Sequence, residues 1–181
     1  LYAENDLRLD KYFAETDEKG FRKNKKAGSN NYLCTFRVGE IYLTAAEAAA
    51  RLGELSQART RLLELMRKRY APEAYEAKSV VVNAMDKEAL VQEILDERAR
   101  ELAFEGHRFW DVRRWKIAPQ VLDGPSHGME ITRKAHDDGS ETFTYRRIEV
   151  MNHVWDDRLY WWPIPLSEIS KSDALEQNPG Y

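Results

Sequence analysis

Glu93, Glu97, Glu101 and Glu105 stand four residues apart, with His107 and Asp111 just beyond, and no other stretch groups so many side chains that could hold a metal or move a proton. A spacing of four places them on one face of a helix. A helical di-metal site needs a Glu-x-x-His pair presented inward, whereas Glu105 and His107 are two apart and straddle Gly106. Arg98, Arg100, Arg108, Arg113 and Arg114 lie within reach of the same turns or of a neighbouring element. A carboxylate beside a guanidinium is held ionised and paired, not poised as a general acid. Glu97, Arg98, Glu101, Glu105, Arg108, Asp111 and Arg114 are therefore expected to form a structural ion-pair network, a feature that can imitate a functional site.

Other chemistries find less support. Glycoside hydrolysis needs two carboxylates about 5–10 Å apart, one kept protonated by apolar surroundings. Glu149, Asp156 and Asp157 sit beside Arg146, Arg147 and Arg158, and nothing singles out a pair. There is no Gly-x-Ser-x-Gly elbow, the lone Cys34 has no adjacent histidine, and His107, His127, His136 and His153 are dispersed without metal-ligand spacing. No catalytic residue, metal or cofactor is expected, and binding is favoured over catalysis. Aromatic side chains remain, because sugar rings stack their C–H faces on indole and phenol rings. Tyr145, Trp155, Trp161 and Trp162 are the candidates, although Trp161 and Trp162 adjoin Pro163, Ile164 and Pro165, where anchoring the chain's tail competes with ligand contact.

Helices are expected to position these residues. Leu90, Ile94, Leu102 and Phe104 form a 3.6-residue stripe from Asp86, an N-cap, to Gly106, and Phe109, Val112 and Trp115 resume it. Upstream, Val38, Ile41, Tyr42, Ala45, Ala46, Ala49 and Leu52 make one face that Gly53 stops. Ser56 is expected to cap a second helix carrying Ala58, Leu62, Leu65 and Met66 inward, which ends before Pro72. Two antiparallel helices with this turn match half of a tetratricopeptide-like pattern. One hairpin cannot bury both faces, so its open face is expected to pack on residues 86–115, a second hairpin. The fold class expected is mainly α, tetratricopeptide-like helical hairpins in an αα superhelix, with a small β-hairpin excursion.

Four segments follow: a polar lead-in over 1–36 with loops at 19–20 and 23–31; helical hairpins over 37–115; a β-hairpin and extended segment over 116–165; and a tail over 166–181. Within 37–115, residues 71–85 are expected as a linker in which Ser79-Val80-Val81-Val82 is a strand or a buried extended piece. The β-hairpin alternates with period two over 130–133 and 141–148 about a turn at 136–140, after turns at 123–126 and 127–128. Residues 159–165 should run extended before a short helix near Ser167.

Composition agrees with a folded chain: 43% of the 181 residues are hydrophobic, enough for a core. Charged residues make up 33%, yet the net charge is only -3, which argues against nucleic acid as the main partner. No run approaches the ~20 apolar residues that span a bilayer.

The pattern filled by Glu97, Arg98, Glu101, Leu102, Phe104, Glu105, Gly106, Arg108, Asp111, Arg114 and Trp115 resembles the signature of the SusD/RagB family. Two further segments agree: Glu40-Ile41-Tyr42-Leu43 with Ala46-Glu47-Ala48 upstream, and Pro163-Ile164-Pro165 with the ending Gln177-Asn178-Pro179-Gly180-Tyr181. The resemblance implies a nutrient-binding outer-membrane lipoprotein of Bacteroidetes that captures glycans at the cell's outward-facing surface. It also implies a TonB-dependent SusC-like transporter as partner. The family's signal peptide and lipidated N-terminal cysteine have no counterpart here, so the chain is expected to be a C-terminal portion supplying mainly scaffold. The family's ligand-contacting aromatics lie upstream or in insertions, and none is carried over. The alternative is a helical-repeat protein-interaction scaffold without carbohydrate binding.

Overall fold

The structure, a computed structural model, describes residues 2–16, 22–26 and 37–181. Cys34 and the loop expected at 19–20 lie outside them, as does most of the loop expected at 23–31. The chain divides into two compact units, Leu1–Arg108 and Phe109–Tyr181. Eight helices lie among the described residues, with two small antiparallel sheets of two strands each, and the fold is mainly α.

In the first unit, helix α1 (Arg8–Tyr12) leads into strands β1 (Phe13–Thr16) and β2 (Arg22–Asn24), so the lead-in is not wholly loop. Helices α2 (Val38–Leu52) and α3 (Leu55–Met66) form the expected hairpin. Gly53 closes α2 with φ 87°, a conformation that favours glycine, and its N–H bonds back to the helix's last carbonyls. Ser56 does not cap α3; Glu54 occupies the N-cap, and the Ser56 carbonyl accepts from the Thr60 hydroxyl instead. Residues 71–85 are not an extended linker but contain helix α4 (Pro72–Ala84). Proline at the first helical position has its φ preset and gives up an N–H that would lack a partner anyway. Of the valine run only Val82 turns inward, while Val80 and Val81 stay exposed. Helix α5 (Lys87–Glu101) starts at Asp86, whose side chain accepts from the Ala89 N–H at 2.9 Å.

Leu43, Ala46 and Ala50 of α2, Ala58, Leu62 and Met66 of α3, and Leu90 and Ile94 of α5 are all fully buried in one core. The alanines let the helices approach closely. The buried side of α2 is not the stripe expected from periodicity: Gly39, Leu43, Ala46, Glu47, Ala49 and Ala50 face in, while Val38, Ile41 and Leu52 are 65%, 52% and 77% exposed. The helix is turned so that its smallest residues meet α3 and α5. Helix α5 also stops short of Gly106. It ends at Glu101, and the chain leaves through Phe104 (φ 65°) and Gly106 (φ 79°).

Helix α6 (His107–Trp115) runs into the second unit, followed there by α7 (Ala118–Leu122) and a long ribbon of β3 (Gly124–Ala135) and β4 (Glu141–His153). The turn at 136–140 lies where expected, but the strands extend much further toward the root, pairing Gly124 with His153. The turns expected at 123–128 are mostly strand, interrupted by a bulge between Ser126 and His127. Gly128 serves close approach there, since a Cβ would stand 2.7 Å from a Val150 methyl. A 3-10 turn (Asp157–Tyr160) interrupts the extended run before Trp161, and α8 (Leu166–Ile169) precedes the tail.

The turned α2 makes a direct prediction. Ala50→Leu should overpack the core by about 1–3 kcal/mol and lower the melting temperature by several degrees. Val38→Leu, on the exposed side, should leave it nearly unchanged. Thermal unfolding by circular dichroism that ranked the two the other way would contradict this packing.

Candidate functional site

Two groupings of functional side chains stand out, one in each unit. In the first, Glu97 and Glu101 occupy the inward stripe of α5 itself, continuing Leu90 and Ile94, and both are fully buried. Both Glu101 oxygens are filled. Arg69 binds bidentately, Nε to Oε2 and Nη2 to Oε1, each at 2.8 Å. Arg8 Nη1 donates to Oε2 at 3.1 Å, and Arg37 Nη1 donates to Oε1. Arg8 also donates to Glu97 at 2.7 Å and grips Asp6 with two bonds of 2.8 Å. The Tyr70 hydroxyl accepts from Arg8 and donates to Glu97 at 3.1 Å. Arg100 joins Glu97 to Glu93, and Glu105 takes Arg37 and Lys26.

The same donors finish helix α5, whose last carbonyls have no partner within the helix. Tyr2 Oη donates to the Arg100 carbonyl at 2.7 Å, while Lys26 Nζ donates to those of Glu101 and Ala103 at 2.7 and 2.9 Å. The Arg37 guanidinium also reaches the Glu101 carbonyl. Positive charge at this end suits the helix dipole.

Electrostatics follow from this geometry. Burial by itself would raise the Glu101 carboxyl, but hydrogen bonds from Arg69 and Arg37 outweigh it and hold the group down from its ordinary 4.5 to about 2. Glu105 is lowered as well: burial opposes the shift, and the bonds from Arg37 and Lys26 overcome it. Burial lowers Lys26, and burial raises Tyr2 to about 12. Such carboxylates stay ionised and cannot serve as proton donors near neutrality.

The residues expected in one network are distributed differently. Glu97, Glu101 and Glu105 meet in the cluster, but Arg98 turns away to Glu40 and Thr44. Asp111 and Arg114 pair with each other on α6 at 2.9 Å, and Arg108 is exposed. The cluster's other partners, Asp6, Arg8, Arg37, Arg69 and Tyr70, are not among the residues expected in the network. Asp6, Arg8 and Arg37 fall in segments that resemble the family, but nothing in their spacing marks them as partners of α5. His107 stands 3.7 Å from Glu40, and among the described residues no three of His, Cys, Asp and Glu group to hold a metal ion. Asp156 caps the 3-10 turn and pairs with Arg158, while Glu149 and Asp157 are exposed.

The second grouping is aromatic. Trp155 is partly buried against Tyr160, with ring centroids 5.0 Å apart, and Tyr145 is partly buried on β4 opposite Ile131. Trp161 and Trp162 are 57% and 62% exposed. The tail is anchored here, as the proline-flanked position implied, but through backbone. Tyr181 Oη donates to the Trp161 carbonyl at 3.0 Å, and Asn178 Nδ2 to that of Trp162. Gln177 bonds both backbone groups of Ile164, at 2.8 and 2.9 Å. Trp162 stacks obliquely on Trp110, at 5.9 Å and 35°. Trp110 escaped the sequence reading because it lies one position off the Phe109, Val112 and Trp115 stripe, and a tryptophan off its helix's apolar stripe was the available signal.

Comparison with known proteins gives three findings. The model of the SusD family matches residues 2–181. Two curated relatives, both from Formosa agariphila, are SusD-like protein P38, 32% identical over 98% of this chain, and SusD-like protein P2, 26% identical over 99%. The chain spans 29% and 31% of their respective lengths. A SusD-like protein of known crystal structure from Bacteroides fragilis superposes with a TM-score of 0.57 at 34% identity, covering 79% of this chain and 25% of that one.

Glu101→Gln keeps the shape but leaves three guanidinium groups under-compensated. It should cost about 3–5 kcal/mol and lower the melting temperature by roughly 10 °C. A change of only a degree or two would show that the cluster contributes little. The carboxyl's folded value lies below its unfolded one, so its contribution is present above about pH 4.5 and is lost as pH falls through about 2. Denaturant midpoints measured from pH 6 to pH 2.5 should therefore fall in the acid range for the natural chain, and less steeply for Glu101→Gln.

Proposed function

The chain belongs to the SusD family, and on that premise we propose that it serves glycan or nutrient capture at the bacterial cell surface, within a SusC/SusD-type uptake system, supplying mainly the helical scaffold. The observation that carries this reading is where the acids go. The glutamates that could have performed chemistry are consumed in a buried, arginine-matched cluster joining α1, the residue before α2 and the turn between α3 and α4 to α5. Carboxylates matched in this way support structure rather than proton transfer.

The whole-protein partner in this reading is a TonB-dependent SusC-like transporter. Among the described residues no helix is long and apolar enough to cross a membrane, and attachment to the outer membrane's outward face is assigned to a lipid anchor. A helical protein-interaction scaffold without carbohydrate binding is the second reading, favoured by Val80 and Val81, 70% and 57% exposed on α4.

In native gels cast with soluble polysaccharides, a full-length protein carrying this chain should be retarded without releasing reducing ends. Unchanged mobility with every polysaccharide would favour the second reading. Release of reducing ends, abolished by Glu149→Gln or Asp157→Asn in a protein that still folds, would establish a hydrolase instead.

A further inference from the structure

We propose that the free outer edge of β4 pairs antiparallel with the same edge of a second copy of this chain, joining two ribbons into one sheet. β4 is paired on one side only, and among the described residues no other strand lies against it. A strand left in this way presents a row of unpaired N–H and C=O groups, a template for another chain. Over 141–147 it holds neither proline nor glycine, and every residue is exposed except the half-buried Tyr145. The ladder's irregularity lies nearer the root, opposite residues 149–151. β3 offers the poorer edge, because Pro125 and Gly128 interrupt it. A two-stranded ribbon is only marginally stable by itself, so it gains from further pairing.

Backbone geometry fixes which groups face outward, and the side chains select the register. The His136 N–H donates to the Ser140 carbonyl at 2.9 Å, and hydrogen-bonded pairs then alternate along the ladder at Lys134–Thr142, Thr132–Thr144 and Glu130–Arg146. The backbone groups of Glu141, Phe143, Tyr145 and Arg147 therefore point to the open side. With a two-fold axis at Thr144, Glu141 of each copy faces Arg147 of the other, and Phe143 faces Tyr145. These pairs exchange about eight N–H···O bonds. Glu141 gives Oε1 to Arg133 and keeps its second oxygen for another guanidinium. Arg147 has no ion-pair partner among the described residues, since Glu130 holds Arg146. Phe143 is 44% exposed and gains an aromatic neighbour. Moving the axis to Tyr145 would set Glu141 against Glu149, and like charges directly opposite are destabilising.

The test is sedimentation velocity on a full-length protein carrying this chain. So short a strand pair buries less than the ~800 Å² per partner of a standard interface, so the expected dimer is weak and populated at roughly 100 µM. Arg147→Glu should weaken it about tenfold, and Glu141→Arg added to that variant should restore it. Phe143→Pro removes an outward N–H and no bond of the existing ladder, and should leave the protein monomeric. Thr144→Cys should cross-link two copies on mild oxidation, because a non-hydrogen-bonded pair on the axis brings its Cα atoms to about 4.5 Å. Thr142→Cys, which would face Arg146, should not. Absence of a dimer at that concentration, a dimer that Phe143→Pro leaves intact, or cross-linking no stronger from Thr144→Cys than from Thr142→Cys overturns the proposal. Should Phe143→Pro disturb the ribbon's circular dichroism, the two cysteine variants decide, since both leave the edge's hydrogen-bonding groups in place.

Discussion

The Glu101 carboxylate is removed from solvent with one donor for each of its lone-pair positions: Arg37 and Arg69 on Oε1, Arg8 and Arg69 on Oε2. An ionised carboxylate inside a protein costs several kcal/mol unless it is matched in this way. The donors come from α1, from the residue preceding α2, and from the turn between α3 and α4. One charge can be satisfied only when three separate segments have reached their places together. Glu97 repeats the device with Arg8, Arg100 and Tyr70. A buried charge cluster of this kind specifies an arrangement more than it adds net stability.

Local features of the first unit follow from that demand. At Gly39 a Cβ would stand 2.8 Å from Glu101 Oε1 and 3.0 Å from Arg37 Nη1. A lone carboxylate could swing aside, but this one is clamped, so glycine keeps the start of α2 close to α5. The same closeness turns the alanines of α2 inward and leaves Val38 and Ile41 in water. Residues 5–7 are drawn in as well: Asp6 bridges to Tyr70, and the Leu7 N–H donates to the Arg69 carbonyl at 2.9 Å. A polar lead-in thereby becomes part of the folded unit.

The second unit is organised by different means. Its ribbon exposes most of both faces, and its tail is tied down by side-chain amides and a phenol acting on backbone groups. Hydrogen bonding does the fixing, and the large aromatic rings of Trp110 and Trp162 remain open. In the first unit polar groups are buried to define shape, whereas here apolar rings are left exposed on a fixed backbone.

The residues alone determined the α2–α3 hairpin, the Asp86 cap, the left-handed Gly53, the pairing of the α5 glutamates with arginine and the β-ribbon's turn. Each is a property of near neighbours, and the family motifs at residues 97–115 and 163–181 are contiguous as well. Tertiary structure decided which arginines answer the glutamates, which side of α2 is buried, that 72–84 is helical and that Trp110 meets Trp162. Arg8 reaches Glu97 across 89 positions and Arg37 reaches Glu101 across 64. Periodicity reports the face a helix would bury by itself, but a buried charge is satisfied by whichever distant segment brings a donor of the right geometry, and only packing settles that.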